Sequence, residues 1–214
     1  STFYVRFDEG GTEARYDRLS WLPETAGDDG GADLIYTGAG GDIAFGDYGR
    51  DRLDMGSGDD FGIGGHDDDI VDGGAGNDQL FGDFNWDAGE GPQGETESAR
   101  LIRVGLAGEY HGNDILDGGA GNDYIEGNGR DDIINGGDGN DTLVGDDYLT
   151  PEAIHGADIL DGGAGNDILL GGGDADELRG GDGDDELLGE DETVEGQYHG
   201  KDRLFGGAGN DSLW

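Results

Sequence analysis

A nine-residue period runs through most of this chain of 214 residues and constrains its fold more than any other feature. The segment 73–81 reads Gly-Gly-Ala-Gly-Asn-Asp-Gln-Leu-Phe, and near copies of it occupy 118–126, 136–144, 162–170 and 206–214. From residue 28 the frame holds 16 units, with aspartate at the sixth place of every unit and an aliphatic residue at the eighth place of 14. Ala44 and Gly62 are the two exceptions. Such a period predicts a solenoid whose units pack on their neighbours.

Each unit divides into a turn and a strand. Glycines at the first, second and fourth places allow the positive φ angles of a tight turn and expose backbone carbonyl oxygens. Three residues then form a predicted short strand, in which the sixth and eighth places point to one face and the seventh to the other. Two units then make one coil, because the chain must cross from one sheet to the other and back. The frame therefore predicts an all-β fold, a parallel β-roll of about eight coils spanning 28–214.

The sixth-place aspartates are predicted metal ligands. Coils stack at the parallel-strand spacing of about 4.8 Å, so the aspartate of one unit lies beside that of the next unit but one. Paired carboxylates and turn carbonyls make an oxygen cage, which suits calcium better than the stricter octahedron of magnesium. The predicted side-chain ligands are Asp33, Asp42, Asp51, Asp60, Asp69, Asp78, Asp114, Asp123, Asp132, Asp141, Asp158, Asp167, Asp176, Asp185, Asp202 and Asp211. The predicted turn glycines are Gly73, Gly74, Gly76, Gly118, Gly119, Gly121, Gly136, Gly137, Gly139, Gly162, Gly163, Gly165, Gly206, Gly207 and Gly209.

The charge balance points to cations as partners. Fifty-two acidic residues against 11 basic ones give a formal net charge of −41, and a compact state requires that this repulsion be neutralised. Nucleic acid and anionic membrane surfaces are disfavoured, because both add negative charge. Cysteine is absent, which excludes disulfides and thiolate metal sites. No apolar run approaches the roughly 20 residues of a membrane span.

These residues resemble the RTX (repeats in toxin) family, also called haemolysin-type calcium-binding repeats, over about 28–214. The shared unit is Gly-Gly-x-Gly-x-Asp-x-aliphatic-x. The resemblance implies a right-handed parallel β-roll that folds on binding calcium. With about seven gaps between coils on each edge, the array is expected to hold roughly 10–14 calcium ions. It also implies a secreted protein, extracellular or at the cell surface, exported unfolded by type I secretion.

Three insertions interrupt the frame, within 82–111, 145–155 and 189–199. They fall in units 7, 11 and 15, and since odd and even units lie on opposite edges of the coil, all three are predicted to project from one edge. Each insertion ends on a histidine, and a fourth histidine occupies the third place of unit 5; the four are His66, His111, His155 and His199. We expect each imidazole to anchor its loop by a hydrogen bond to the backbone. A row of histidines that binds a transition metal is the alternative.

Residues 1–27 fall outside the frame and are predicted to cap the open N-terminal end of the roll. The motifs of common hydrolases and phosphate-binding enzymes are absent, and a regular aspartate lattice is not the pattern of one active site, so the chain is predicted to be non-enzymatic. Two functions fit. The roll is a structural module that assembles with itself, head to tail, into an extracellular fibre or surface layer. Alternatively, it is the C-terminal folding and secretion module of a larger toxin, adhesin or hydrolase.

Overall fold

A computed structural model of the chain describes residues 32, 34–83, 111–146, 152–190 and 199–214. The predicted cap at 1–27, the aspartate Asp33 and part of each insertion (84–110, 147–151 and 191–198) lie outside these residues. Within the described ranges, 16 strands form two parallel sheets of eight strands each. This arrangement confirms the predicted all-β parallel roll.

The first sheet is built from the odd-numbered units. Its strands, in spatial order, are β1 (Leu34–Ala39), β3 (Arg52–Ser57), β5 (Ile70–Ala75), β7 (Ile115–Ala120), β9 (Ile133–Asp138), β11 (Ile159–Ala164), β13 (Glu177–Asp182) and β15 (Arg203–Ala208).

The second sheet is built from the even-numbered units. Its strands are β2 (Ile43–Tyr48), β4 (Phe61–His66), β6 (Gln79–Phe81), β8 (Tyr124–Glu126), β10 (Thr142–Val144), β12 (Ile168–Gly172), β14 (Glu186–Glu190) and β16 (Ser212–Leu213). A short 3-10 helix, Glu152–Ile154, precedes His155. The described residues include no helix with the length and apolar character needed to cross a bilayer.

The strands of the first sheet are longer than the three residues that the sequence predicts. Each has six residues, joining the last three places of one unit to the first three of the next, as in β7. The reason is the stacking itself: identical turns lie in register, so Gly119 pairs with Gly74 in one neighbouring coil and with Gly137 in the other. Backbone pairing therefore continues from the strand into the turn.

The core is a narrow column of eighth-place side chains between the two sheets. Leu116 and Ile134 from the first sheet and Ile125 and Leu143 from the second are all buried. Each fully buried aliphatic side chain contributes about 1.5–3 kcal/mol. Because a unit of nine residues supplies only about one such side chain, the core contributes little stabilising free energy per residue. The repulsion between the many charges of the turns must therefore be compensated separately.

Gly62, an exception in the eighth-place pattern, is compensated by a second exception. Unit 4 has Met55 at the first place, where most units have glycine, and this methionine is fully buried beside Gly62. A Cβ added at Gly62 would lie 3.1 Å from Cγ1 of Val71 and 3.2 Å from Cδ2 of Leu80, so the space is already filled.

Candidate metal-binding turns

Two ladders of sixth-place aspartates run along the roll, one on each edge. In both ladders the backbone N–H of one aspartate donates to Oδ1 of the aspartate in the next coil, over 2.7–3.2 Å. The even ladder joins Asp42, Asp60, Asp78, Asp123, Asp141, Asp167, Asp185 and Asp211. The odd ladder joins Asp51, Asp69, Asp114, Asp132, Asp158, Asp176 and Asp202. The structure thus places the aspartates of alternate units side by side, as the two-unit coil predicts.

The second carboxylate oxygen of these aspartates is buried and accepts no hydrogen bond from the described part of the chain. This holds for Oδ2 of Asp42, Asp60, Asp69, Asp78, Asp114, Asp123, Asp132, Asp141, Asp158, Asp167, Asp176 and Asp185. A buried carboxylate oxygen without a donor is costly unless a cation lies against it. The repetition of this unsatisfied atom along both edges fits an array of cations held between the turns.

Burial and mutual repulsion raise the pKa of the ladder carboxylates. For Asp123 the pKa rises to about 7, first because of burial and then because of the charges of Asp141 and Asp78, against the lowering effect of its hydrogen bond from Asp78. On the odd edge the pKa of Asp69 rises to about 9, through burial first and the charge of Asp114 second. These groups are stable as anions inside the roll only beside positive charge.

First-place glycines line the space around the unsatisfied oxygen. A Cβ added at Gly73 would lie 2.6 Å from Oδ2 of Asp78 and 2.9 Å from the carbonyl oxygen of Gly118. The other predicted first-place glycines, at Gly118, Gly136, Gly162 and Gly206, face the aspartate of their own unit in the same way. Each turn therefore brings a carboxylate close to the glycine at its own first place and leaves no room for a side chain there.

The second- and fourth-place glycines stack one turn on another. All have positive φ, and a Cβ on each would overlap the carbonyl of the glycine in the preceding even-unit turn; they are Gly74, Gly76, Gly119, Gly121, Gly137, Gly139, Gly163, Gly165, Gly207 and Gly209. Every predicted turn glycine thus lies in an even-unit turn. The contact explains why glycine recurs at these places, because only the absence of Cβ allows turns to approach at the strand spacing.

The two edges differ in their turns. In the odd units 5, 9 and 13 the fourth place holds Asp67, Arg130 and Asp174, which adopt positive φ without being glycine. Units 7, 11 and 15, which carry the insertions, have no positive φ among their described turn residues. The even edge is therefore a uniform array, whereas the odd edge alternates intact and interrupted turns.

A second ladder on the even edge was not predicted from the sequence. It joins fifth-place side chains: the N–H of Asn122 donates to Oδ1 of Asn77 over 2.8 Å, and Asn140 and Asn166 continue the series at 2.7 Å. The repeated asparagine at the fifth place was the available signal. Asparagine fits this exposed position because it accepts the hydrogen bond and adds no charge to the acidic edge.

Two of the insertion histidines lie beside an acidic residue at the other end of their insertion. Nδ1 of His111 is 3.3 Å from Oδ2 of Asp83, and Nδ1 of His155 is 3.9 Å from Oδ2 of Asp146. The predicted backbone anchor of each imidazole stays a prediction, and the structure shows carboxylates beside His111 and His155 that the sequence analysis did not identify. His66 is buried on the same edge.

Within the described ranges, no three acidic or histidine side chains converge as a complete metal site. An ion between the turns would therefore take most of its ligands from backbone carbonyl oxygens and one or two from the aspartates. A donor set made of oxygen favours a hard cation with flexible coordination, which is calcium.

Comparison with known families agrees with this chemistry. The family model described as RTX calcium-binding nonapeptide repeat (4 copies) matches residues 27–62, 56–87, 111–143, 156–189 and 199–214, more than half of the chain. No curated protein matches the chain. The chain therefore belongs to the family of RTX calcium-binding nonapeptide repeats, a structural calcium-binding module.

Proposed function

We propose that this chain is a secreted structural module that is unfolded without calcium and folds as calcium ions bind between its stacked turns. The buried, unsatisfied Oδ2 atoms of the two aspartate ladders are the observation that carries the proposal. The ligands we propose are the sixth-place aspartates and the turn glycines of the repeat. Roughly 10–14 ions would fill the array, and 14 divalent ions would reduce the formal charge from −41 to about −13.

Calcium linkage supports an extracellular location. Ions that bind only the folded roll stabilise it, so the calcium concentration decides whether the chain folds. Extracellular calcium modules typically bind in the range of about 0.1–1 mM. A chain with this affinity would stay unfolded during export by a type I route and would fold outside the cell.

Assembly head to tail is the finer part of the proposal. In the last coil Phe205 is 51% exposed, Leu213 45% and Trp214 76%, so apolar surface is present there. β15 and β16 are the outermost strands of their sheets and, on their outward side, pair with no described strand. We propose that rolls join head to tail by pairing of parallel strands, a contact that repeats without closing into a ring. The alternative is that the roll is the folding and secretion module of a larger toxin, adhesin or hydrolase.

Catalysis is not part of the proposal. The sixth-place carboxylates recur at every coil as two continuous ladders, which is the pattern of a repeated structural site, whereas an active site needs one local pair of carboxylates with assigned acid and base roles. We therefore infer a non-enzymatic role for this chain.

Size-exclusion chromatography with light scattering, in excess chelator and then in about 2 mM calcium, tests the proposal. We expect an expanded monomer in chelator, because uncompensated repulsion opposes the roll, and a contracted species in calcium. Growth into large species in calcium supports self-assembly, and a compact monomer supports the folding module of a larger protein. An unchanged elution volume would contradict calcium-dependent folding.

Asp123→Asn is expected to remove at least one calcium ion from the folded chain. The amide can still accept the N–H of Asp78, which now donates over 2.7 Å, so the substitution removes charge while keeping that hydrogen bond. Equilibrium dialysis with calcium gives the number of ions bound. Asp117→Asn is the matched control, since it removes one charge from the outer face of β7 without touching a turn. Equal ion counts in the two variants would mean that Asp123 is not a ligand.

A further inference from the structure

The three interrupted turns share an acidic side chain that the repeat itself does not supply. At the second place, where the repeat has glycine, units 7, 11 and 15 have Asp83, Asp146 and Glu190. Asp83 and Asp146 are buried, with 3% and 4% of their surface exposed, and Glu190 is half-buried. Each carboxylate lies at the start of its insertion and contacts the residues that end it.

The contact with the far end of the insertion has the same form in all three turns. The backbone N–H that follows the insertion histidine donates to the second-place carboxylate: Gly112 to Asp83 over 2.9 Å, Gly156 to Asp146 over 3.0 Å, and Gly200 to Glu190 over 2.6 Å. Insertions of different length therefore close on the same hydrogen bond. This bond occupies one oxygen of each carboxylate.

The other oxygen faces no donor in two of the turns. Oδ1 of Asp83 and Oε2 of Glu190 are buried and accept no hydrogen bond from the described residues. In the same turn as Asp83, Oδ2 of Asp114 is also buried and unsatisfied. This turn thus encloses two unsatisfied carboxylate oxygens, one from Asp83 and one from Asp114. When both groups are ionised, they repel each other.

The repulsion is visible in the pKa values of these pairs. Burial raises the pKa of Asp114 well above its usual value, and the charge of Asp83 is the next largest cause. Burial and then the charge of Asp158 raise the pKa of Asp146 to about 10. For Glu190 the pKa is raised by burial first and by the charge of Asp202 among the lesser causes. The same pairing of second- and sixth-place carboxylates therefore recurs in all three turns.

We propose that each insertion-bearing turn holds a calcium ion between its second-place and sixth-place carboxylates, at a site that the nonapeptide repeat alone does not provide. The inference rests on the proposed calcium-dependent folding. An ion there neutralises two carboxylates of one turn, and backbone oxygens or water complete its ligands. Because Asp83, Asp146 and Glu190 also accept the N–H that ends each insertion, the ion would stabilise the same side chain that joins the two described ends of each insertion.

The positions of the intact turns are consistent with this assignment. Each interrupted turn stacks on the intact odd turn of the preceding coil through a parallel bridge: Asp67 with His111, Arg130 with His155, and Asp174 with His199. A Cβ at Gly112 would overlap the carbonyl oxygen of Asp67, so the two turns are in close contact. The described residues of the interrupted turns have no positive φ angles, unlike the intact odd turns, so the second-place carboxylate is positioned without the turn geometry of the intact units.

The test is the variant that carries Asp83→Asn, Asp146→Asn and Glu190→Gln together. These changes keep an oxygen to accept each glycine N–H and remove only the charge. Equilibrium dialysis in saturating calcium should show three fewer ions than in the wild-type chain, and the calcium concentration at half-contraction should rise. The control variant carries Asp54→Asn, Asp117→Asn and Asp161→Asn, which remove the same charge from the outer face of the first sheet. It should keep the wild-type ion count.

The opposite result has a clear meaning. If protons or the neighbouring imidazoles neutralise these carboxylates instead, the triple variant keeps its ion count and folds at lower calcium, because like-charge repulsion has been relieved. That outcome would overturn this inference while leaving calcium-dependent folding in place. A wild-type chain that binds no calcium would overturn both. If the triple variant does not contract in calcium, the three single variants decide the matter, each expected to lose one ion.

Discussion

Gly121→Ala is expected to raise strongly the calcium concentration at which the central coils stack. Gly121 has a φ of +146°, which an L-residue rarely adopts, and an added Cβ would overlap the carbonyl oxygen of Gly76 in the coil before it. Backbone strain alone costs about 1–3 kcal/mol. The overlapping atom belongs to the backbone of a turn that packs between two neighbouring turns, so it cannot move aside easily. The total loss of folding free energy should therefore exceed about 3 kcal/mol, which is a more than 100-fold loss in the folding equilibrium constant.

The matched control is Gly40→Ala. Gly40 holds the same fourth place in unit 2 and has a φ of +117°, but no atom lies within 4 Å of an added Cβ. The control therefore carries the strain without the overlap. Calcium titrations followed by circular dichroism should show a much larger rise in the midpoint for Gly121→Ala than for Gly40→Ala. Equal shifts would mean that turn stacking does not limit folding.

The period of nine predicted the fold correctly because it encodes both the turn and the core. Glycines at fixed places allow the turns, and residues such as Leu116 and Leu143 fall on the interior at every eighth place. The six-residue strands were not predicted, since they arise from pairing between turns that are in register only after the coils have stacked. The packing of Met55 beside Gly62 was missed for a similar reason, because two departures from the pattern compensate each other in space.

The sequence predicted only part of the candidate site. It identified the sixth-place aspartates, whose side-by-side placement follows from counting units along the coil. It did not identify Asp83, Asp146 and Glu190. In sequence Asp83 is far from His111, and only the closure of the insertion brings them together. The nonapeptide pattern also treats the second place as glycine, so an acidic residue there counts as a departure rather than as a ligand.

Lowering the pH from about 8 to about 5 is expected to contract the calcium-free chain. In the folded roll, burial above all, with the charges of neighbouring aspartates, raises the pKa of Asp60 and Asp123 to about 7 and of Asp69 and Asp176 to about 9. An aspartate in the unfolded chain titrates near 3.8. The calcium-free roll is therefore most stable below about pH 4, and it loses that stability as the pH rises through the folded pKa values. Light scattering in chelator across this range measures the effect.

Protons and calcium compete for the same carboxylates. The contraction that calcium produces should therefore be larger at high pH than at low pH. At about pH 8 the unfolded chain is ionised and only calcium makes the buried anions tolerable, so calcium should produce a large contraction. At about pH 5 protons already neutralise many ladder carboxylates, so calcium should add less and bind more weakly. Asp123→Asn should reduce this pH dependence more than the outer-face change Asp117→Asn, which removes only one of the lesser charges that raise the pKa of Asp123. A calcium-free chain equally expanded at both pH values would mean that the ladder carboxylates do not control folding.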